Sequence, residues 1–98
     1  MSVKLTKHAV LAIKDSMERN QLDLKRFALR LYSQNGDLSI TFTDEIDGAS
    51  VINELLFKVD EDVKSYHQKN PLVVDYVTNG EKKGLIFLEG NKHERYTN

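Results

Sequence analysis

The sequence predicts one β-rich α+β domain over residues 1–98, with an N-terminal helix and a second helix near residues 60–69. Three observations carry that prediction. Residues 7–19 repeat apolar side chains at helical spacing. Residues 27–42 alternate apolar and polar side chains about an Asn35-Gly36 dipeptide. Two β-rich runs follow Asn70-Pro71.

Thr6 is suited to cap the first helix, because a threonine hydroxyl can accept from an otherwise unpaired amide of the first turn. Val10, Ile13 and Met17 fall at i, i+3 and i+7 and share one face. Lys7, Lys14, Asp15, Glu18 and Arg19 populate the other, and Asn20 is the expected stop. Mixed charge and few aromatics make this a core-packing helix and not a membrane-surface one. In the next segment Phe27, Leu29 and Leu31 alternate with Ala28, Arg30 and Tyr32, and Leu38, Ile40 and Phe42 alternate with Ser39 and Thr41. Asn35-Gly36 suits a two-residue type I′ turn, which needs φ > 0 at both positions. Folding about that turn sets Leu31 opposite Ile40 and Leu29 opposite Phe42, so turn chemistry and hydrophobic register agree.

Residues 44–48 read as an acidic loop with a second turn dipeptide, Asp47-Gly48. Short strands are expected at Ser50 to Ile52 and Leu55 to Val59, joined by a turn at Asn53-Glu54. Asp60 is placed as an N-cap, with Glu61 and Asp62 complementing the dipole of a helix that runs to about Lys69 and buries Val63 and either Tyr66 or His67. Pro71 pushes Asn70 out of α geometry and ends that helix. Leu72 to Val77 and Leu85 to Glu89 are strands joined by a polar loop, and residues 91–98 form a polar tail expected to be flexible.

Composition removes several function classes. No segment approaches the roughly 20 apolar residues of a membrane-spanning helix, and the N-terminus lacks a signal-peptide pattern, so a cytoplasmic location is expected. Cysteine is absent, which removes disulfides, thiolate metal sites and cysteine nucleophiles together. Net charge is −1 but uneven: residues 1–31 hold seven Lys/Arg against three Asp/Glu, residues 32–63 one against eight, and residues 64–98 six against four. An acidic middle does not suit a phosphate backbone, so no nucleic-acid partner is expected. Asp44, Glu45 and Asp47 read either as a solvated loop or as a docking patch for a basic partner; they lack the oxygen-ligand spacing of an EF-hand.

Catalytic constellations are thin. There is no G-x-S-x-G elbow, no phosphate-cradling glycine loop before a helix and no H-E-x-x-H. Asp75 and Tyr76 are adjacent on a strand and so point to opposite faces. Lys82-Lys83 fit a solvated hairpin tip. Arg26 and Arg30 straddle Ala28 on the face opposite Leu29, positioned for polar contacts across a subunit seam. His8 reads as a surface group of a first helical turn, His67 as half covered, and His93 as part of the tail; no two form an H-x-H or H-x₃-H pair. His93-Glu94 is the one weak candidate for a metal contact.

The order of these features resembles the HesB-like A-type (IscA-like) carriers of iron–sulfur cluster biogenesis. The resemblance spans residues 3 to 91. It runs from Val3-Lys4-Leu5-Thr6 through Leu29-Arg30-Leu31 and Asp44-Glu45, then from Val59-Asp60 through Ser65 and Asp75-Tyr76-Val77. Its last part is the glycine-bracketed phrase Gly80-Glu81-Lys82-Lys83-Gly84-Leu85-Ile86-Phe87, followed by Asn91. The resemblance implies a compact β-rich α+β domain of mixed sheets that associates as dimers or tetramers. It also implies one cysteine in the loop after the Leu-Arg-Leu strand and a Cys-Gly-Cys near the C-terminus, which hold iron or a cluster. This chain departs there: the loop has shrunk to Ser33-Gln34-Asn35-Gly36-Asp37, and the tail from Gly90 carries no sulfur. None of the three ligand positions transfers, and iron in such clusters relies on strongly covalent donors, usually thiolate.

The expectation is therefore a non-enzymatic protein-interaction, regulatory or scaffold module related to the cluster-assembly proteins. It needs no cofactor and binds a protein partner or its own copy as a dimer. The alternative is an accessory iron-binding protein using His93, Glu94 and acidic residues. Arg26, Arg30, Asp44, Glu45 and Asp47 are the candidate interaction residues.

Overall fold

The computed structural model of the protein describes residues 3–80 and 82–89. Seven strands and two helices follow one another as β1 (Val3–Leu5), α1 (Lys7–Arg19), β2 (Ala28–Gln34), β3 (Asp37–Thr43), β4 (Ser50–Ile52), β5 (Leu55–Val59), α2 (Glu61–Tyr66), β6 (Leu72–Asn79) and β7 (Lys82–Glu89). They form a three-stranded sheet in the order β1-β6-β7 and a four-stranded sheet in the order β3-β2-β5-β4. Both sheets are mixed: β1 runs parallel to β6 and β2 parallel to β5, while the other neighbours are antiparallel.

The β2–β3 hairpin has the register that its sequence predicts, with Leu31 opposite Ile40 and Leu29 opposite Phe42. Asn35 and Gly36 take φ of 53° and 83°, as a type I′ turn requires. On the other side of β2, Leu29 pairs with Phe57 of β5, so Phe42, Leu29 and Phe57 form one row across the sheet. Leu29 and Phe57 are each 1% exposed. That row packs into a single core with Ala9, Val10, Ile13 and Met17 of α1 and with Leu72 and Val74 of β6. Burying a side chain of this size stabilises the fold by about 1.5–3 kcal/mol.

Thr6 joins three elements. Its hydroxyl oxygen accepts from the Ala9 amide at 3.1 Å, which is the expected cap. The same hydroxyl donates to the Asp75 carboxylate on β6, and the Thr6 amide donates to the Val74 carbonyl at 3.0 Å. The start of α1 is thereby fastened to the β1–β6 seam. At its other end α1 closes with the Gln21 amide donating to Glu18 and the Leu22 amide to Met17, a Schellman arrangement. Asn20 is the last half-helical residue; the left-handed position belongs to Gln21, at φ 58°.

Two other expectations are corrected. The second helix stops at Tyr66 and not near Lys69, because the chain turns under itself before Pro71. The His67 Nδ1–H donates to the Asn70 carbonyl at 2.6 Å, and the Asn70 amide group donates back to the Tyr66 carbonyl at 3.1 Å. His67 is consequently 3% exposed and not half covered, while Tyr66 faces out. The loop expected between Val77 and Leu85 is mostly strand: β6 and β7 stay paired out to Asn79 opposite Lys82, with Gly84 inside β7 opposite Val77. β1, at Val3–Leu5, is a strand that the sequence pattern does not predict. No helix among the described residues is long and apolar enough to cross a membrane.

Candidate functional site

A groove of about 810 Å³ lies beside α1. One wall comes from α1, where Leu11, Asp15 and Arg19 recur at i, i+4 and i+8 and therefore stack in one row. This row flanks the buried stripe of Val10, Ile13 and Met17 without belonging to it, which leaves Leu11 55% exposed. Leu29 lines the groove together with Ile40 and Phe42 of β3, and Tyr76 of β6 and Leu85 of β7 complete the apolar lining. The polar rim contains the Arg19–Asp15 ion pair at 2.8 Å. His8 and Ser16 also border the groove. Eight residues apart on one helix, they are separated by about 12 Å along its axis and cannot act as base and nucleophile. The groove is thus an apolar cradle with a charged lip.

A smaller hollow of about 270 Å³ lies between the β2–β3 hairpin end and α2, lined by Ser33, Leu38, Asp62, Tyr66 and His67 among others. Of the two, the groove beside α1 is the larger. The sequence signal for that groove was faint: Leu11 sits outside the helical stripe, and Tyr76 had been weighed only as a neighbour of Asp75.

Arg30 and Asp60 form a two-pronged ion pair. Arg30 Nε and Nη2 donate to the two Asp60 carboxylate oxygens at 2.9 and 2.7 Å. The guanidinium carbon also lies 5.0 Å from the centre of the Tyr32 ring. These hydrogen bonds are the main cause that raises the Arg30 pKa above its ordinary value. They also hold the Asp60 carboxyl below the usual carboxylate range, against a weaker opposing effect of burial. Asp60 does sit at the N-cap of α2 with extended backbone angles, but its side chain makes no cap bond because Arg30 holds it. The expected cap thus serves as a clasp between β2 and α2.

Arg26 stands apart from Arg30, in the turn before β2, with its side chain 83% exposed and 4.0 Å from Asp23. Asp44, Glu45 and Asp47 all lie in the exposed loop after β3. The Glu45 amide donates to Thr43 Oγ1, and Lys58 Nζ donates to the Glu45 carbonyl at 2.9 Å. None of these five residues lines the groove. Asp75 accepts from the Tyr76 amide as well as from Thr6, so it is engaged within the fold. His93 and Glu94 lie outside the described residues, and among the described ones no cluster of three or more His, Asp or Glu could hold a metal ion.

No protein-family model and no curated protein sequence matches the chain. A solved structure does: that of Escherichia coli SufA, described as involved in biosynthesis of iron–sulfur clusters, superposes with a TM-score of 0.67 and 16% identity over 91% of this chain and 86% of that one. The likeness extends over nearly the whole of both chains, and at that identity it is a likeness of fold: the protein is a compact, strand-rich α+β domain built like SufA.

Proposed function

We propose that this protein is a non-catalytic interaction module, built on the fold of a cluster-assembly protein but without the means to carry a cluster, which works by binding another protein or a second copy of itself. The reading is supported by one conjunction. The chain matches SufA in fold across 91% of its length, yet its 98 residues contain no cysteine. Where the family resemblance calls for a cysteine-bearing loop after β2, Gln34 pairs with Asp37 across a two-residue turn. A scaffold retained without thiolate donors leaves surface recognition as its remaining chemistry.

The surface suits that role. Among the described residues, β3 and β7 each leave one edge unpaired within their sheets. Leu11 and Val51 are exposed, at 55% and 68%. The test has two arms on the untagged protein. Affinity capture from cell extract and light scattering are expected to find a partner or a dimer. Anaerobic addition of iron and sulfide is expected to leave no stoichiometric coloured product. A strictly monomeric protein with no captured partner, or a brown species that survives chelator, would overturn the reading.

A further inference from the structure

We propose that β7 pairs antiparallel with β7 of a second copy, about a two-fold axis through Ile86, and so joins two three-stranded sheets into one. This pairing rests on the reading of the protein as an interaction module and specifies the occupant of one edge. Among the described residues β7 is the outermost strand of its sheet, and it is eight residues long. From Gly84 to Leu88 it contains no charge and no proline, so the charges that could blunt this edge, Lys82, Lys83 and Glu89, are confined to its two ends.

The backbone determines which groups are available. The Val74 carbonyl accepts from the Thr6 amide, so it points toward β1 and away from β7. Val74 lies opposite Phe87. In an alternating antiparallel ladder that makes them a non-hydrogen-bonded pair, and the N–H and C=O of Phe87 point to the open edge. By the two-residue period the same holds for Lys83, Leu85 and Glu89. Leu85 and Phe87 also pack toward the core, so a pairing that keeps the core on one side must set odd-numbered residues against odd-numbered ones.

An axis through Ile86 meets both conditions. Leu85 then lies opposite Phe87 of the second copy, and each such pair exchanges two backbone hydrogen bonds. Lys83 lies opposite Glu89 of the second copy, and by symmetry Glu89 lies opposite Lys83, giving two cross-strand ion pairs on one face. Neither residue enters an ion pair with another described residue. Gly84, with open space where a side chain would stand, faces Leu88 of the second copy. Moving the axis to Leu85 keeps the backbone bonds but sets Lys83 against Phe87, so charge selects Ile86. β3, the other long open edge, begins at Asp37 and carries no cation, and has no such self-complement.

The test is a charge swap on the full chain, read by sedimentation equilibrium. Lys83→Glu and Glu89→Lys each bring like charges together twice and are expected to weaken the dimer by about tenfold or more. An equimolar mixture of the two single variants restores opposite charges at both positions and is expected to recover wild-type affinity, as is the double variant. Circular dichroism at high dilution checks that each variant folds. In the wild type, the Leu85 and Phe87 amides are expected to exchange more slowly in concentrated than in dilute solution. A dimer indifferent to both single variants overturns β7 pairing and leaves the interaction reading standing, with another surface in use. A wild type monomeric into the millimolar range also overturns it, and partner capture then decides the broader reading separately. Equal amide exchange at both concentrations overturns it too.

Discussion

Replacing Leu29 with alanine tests the core arrangement on which the groove depends. Leu29 is 1% exposed and lies in register between Phe42 on one neighbouring strand and Phe57 on the other. Two aromatic rings held by their own strands cannot collapse readily into the space that an alanine leaves. The loss combines transfer and cavity terms and comes to about 3 kcal/mol, within a range of roughly 2–5. A chain of this length has a total stability of about 5–15 kcal/mol, so the variant folds but sits near its limit. In thermal terms the drop is about 12–24 °C, at roughly 4–8 °C per kcal/mol for a domain of this size. Urea unfolding followed by circular dichroism measures it, with Val51→Ala as the control: Val51 is 68% exposed, and its loss should stay within about 0.5 kcal/mol. A double-mutant cycle with Phe57→Ala should return a coupling of at least about 0.5 kcal/mol, because the two side chains share one environment. A Leu29→Ala loss below about 1 kcal/mol, or equal losses at Leu29 and Val51, would refute the packing of the four-stranded sheet against α1.

Two further predictions concern the polar fasteners. Thr6→Ala is expected to cost about 1–2 kcal/mol in a urea melt, since it removes the helix cap and the hydroxyl bond to Asp75, whereas Thr6→Ser should retain most of the stability. Asp60→Asn is expected to destabilise the protein at neutral pH. Because Arg30 holds the Asp60 carboxyl below its ordinary value of 3.8, the pair's contribution is complete above that value and is lost as pH falls through the lower folded one. Melts of wild type and variant should therefore converge in acid, and a difference that persists unchanged at pH 2 would count against the clasp.

Legibility in the sequence followed the range of the interaction. The β2–β3 hairpin was readable because Asn35-Gly36 and the alternation on either side of it are local and mutually consistent. The Thr6 cap was readable for the same reason. β1 was not: three residues carry too little pattern, and their pairing with β6 is set by residues some 70 positions away. The parallel pairing of β2 with β5 has the same character. Asp60 was correctly placed at the start of a helix, but a neighbouring strand's arginine claimed its carboxylate, and propensity cannot anticipate that competition. Of Tyr66 and His67, between which the sequence does not choose, the short turn before Pro71 carries His67 inward. As for the groove, its lining comes from elements dispersed over the chain, and only Leu11, an apolar residue off the helical stripe, hinted at it.

The seam between β1 and β6 has a consequence for biosynthesis. Val3 finds its neighbour at Leu72, so the first strand leaves the ribosome with nothing to pair against until most of the polypeptide has been made. At about 5–20 residues per second that wait lasts roughly 4–14 seconds. During it, α1 has no β6 to help cover Val10, Ile13 and Met17. The nascent protein therefore passes through an interval in which the apolar face of α1 lacks its β6 cover, and exposed hydrophobic surface of that kind is what a holdase grips.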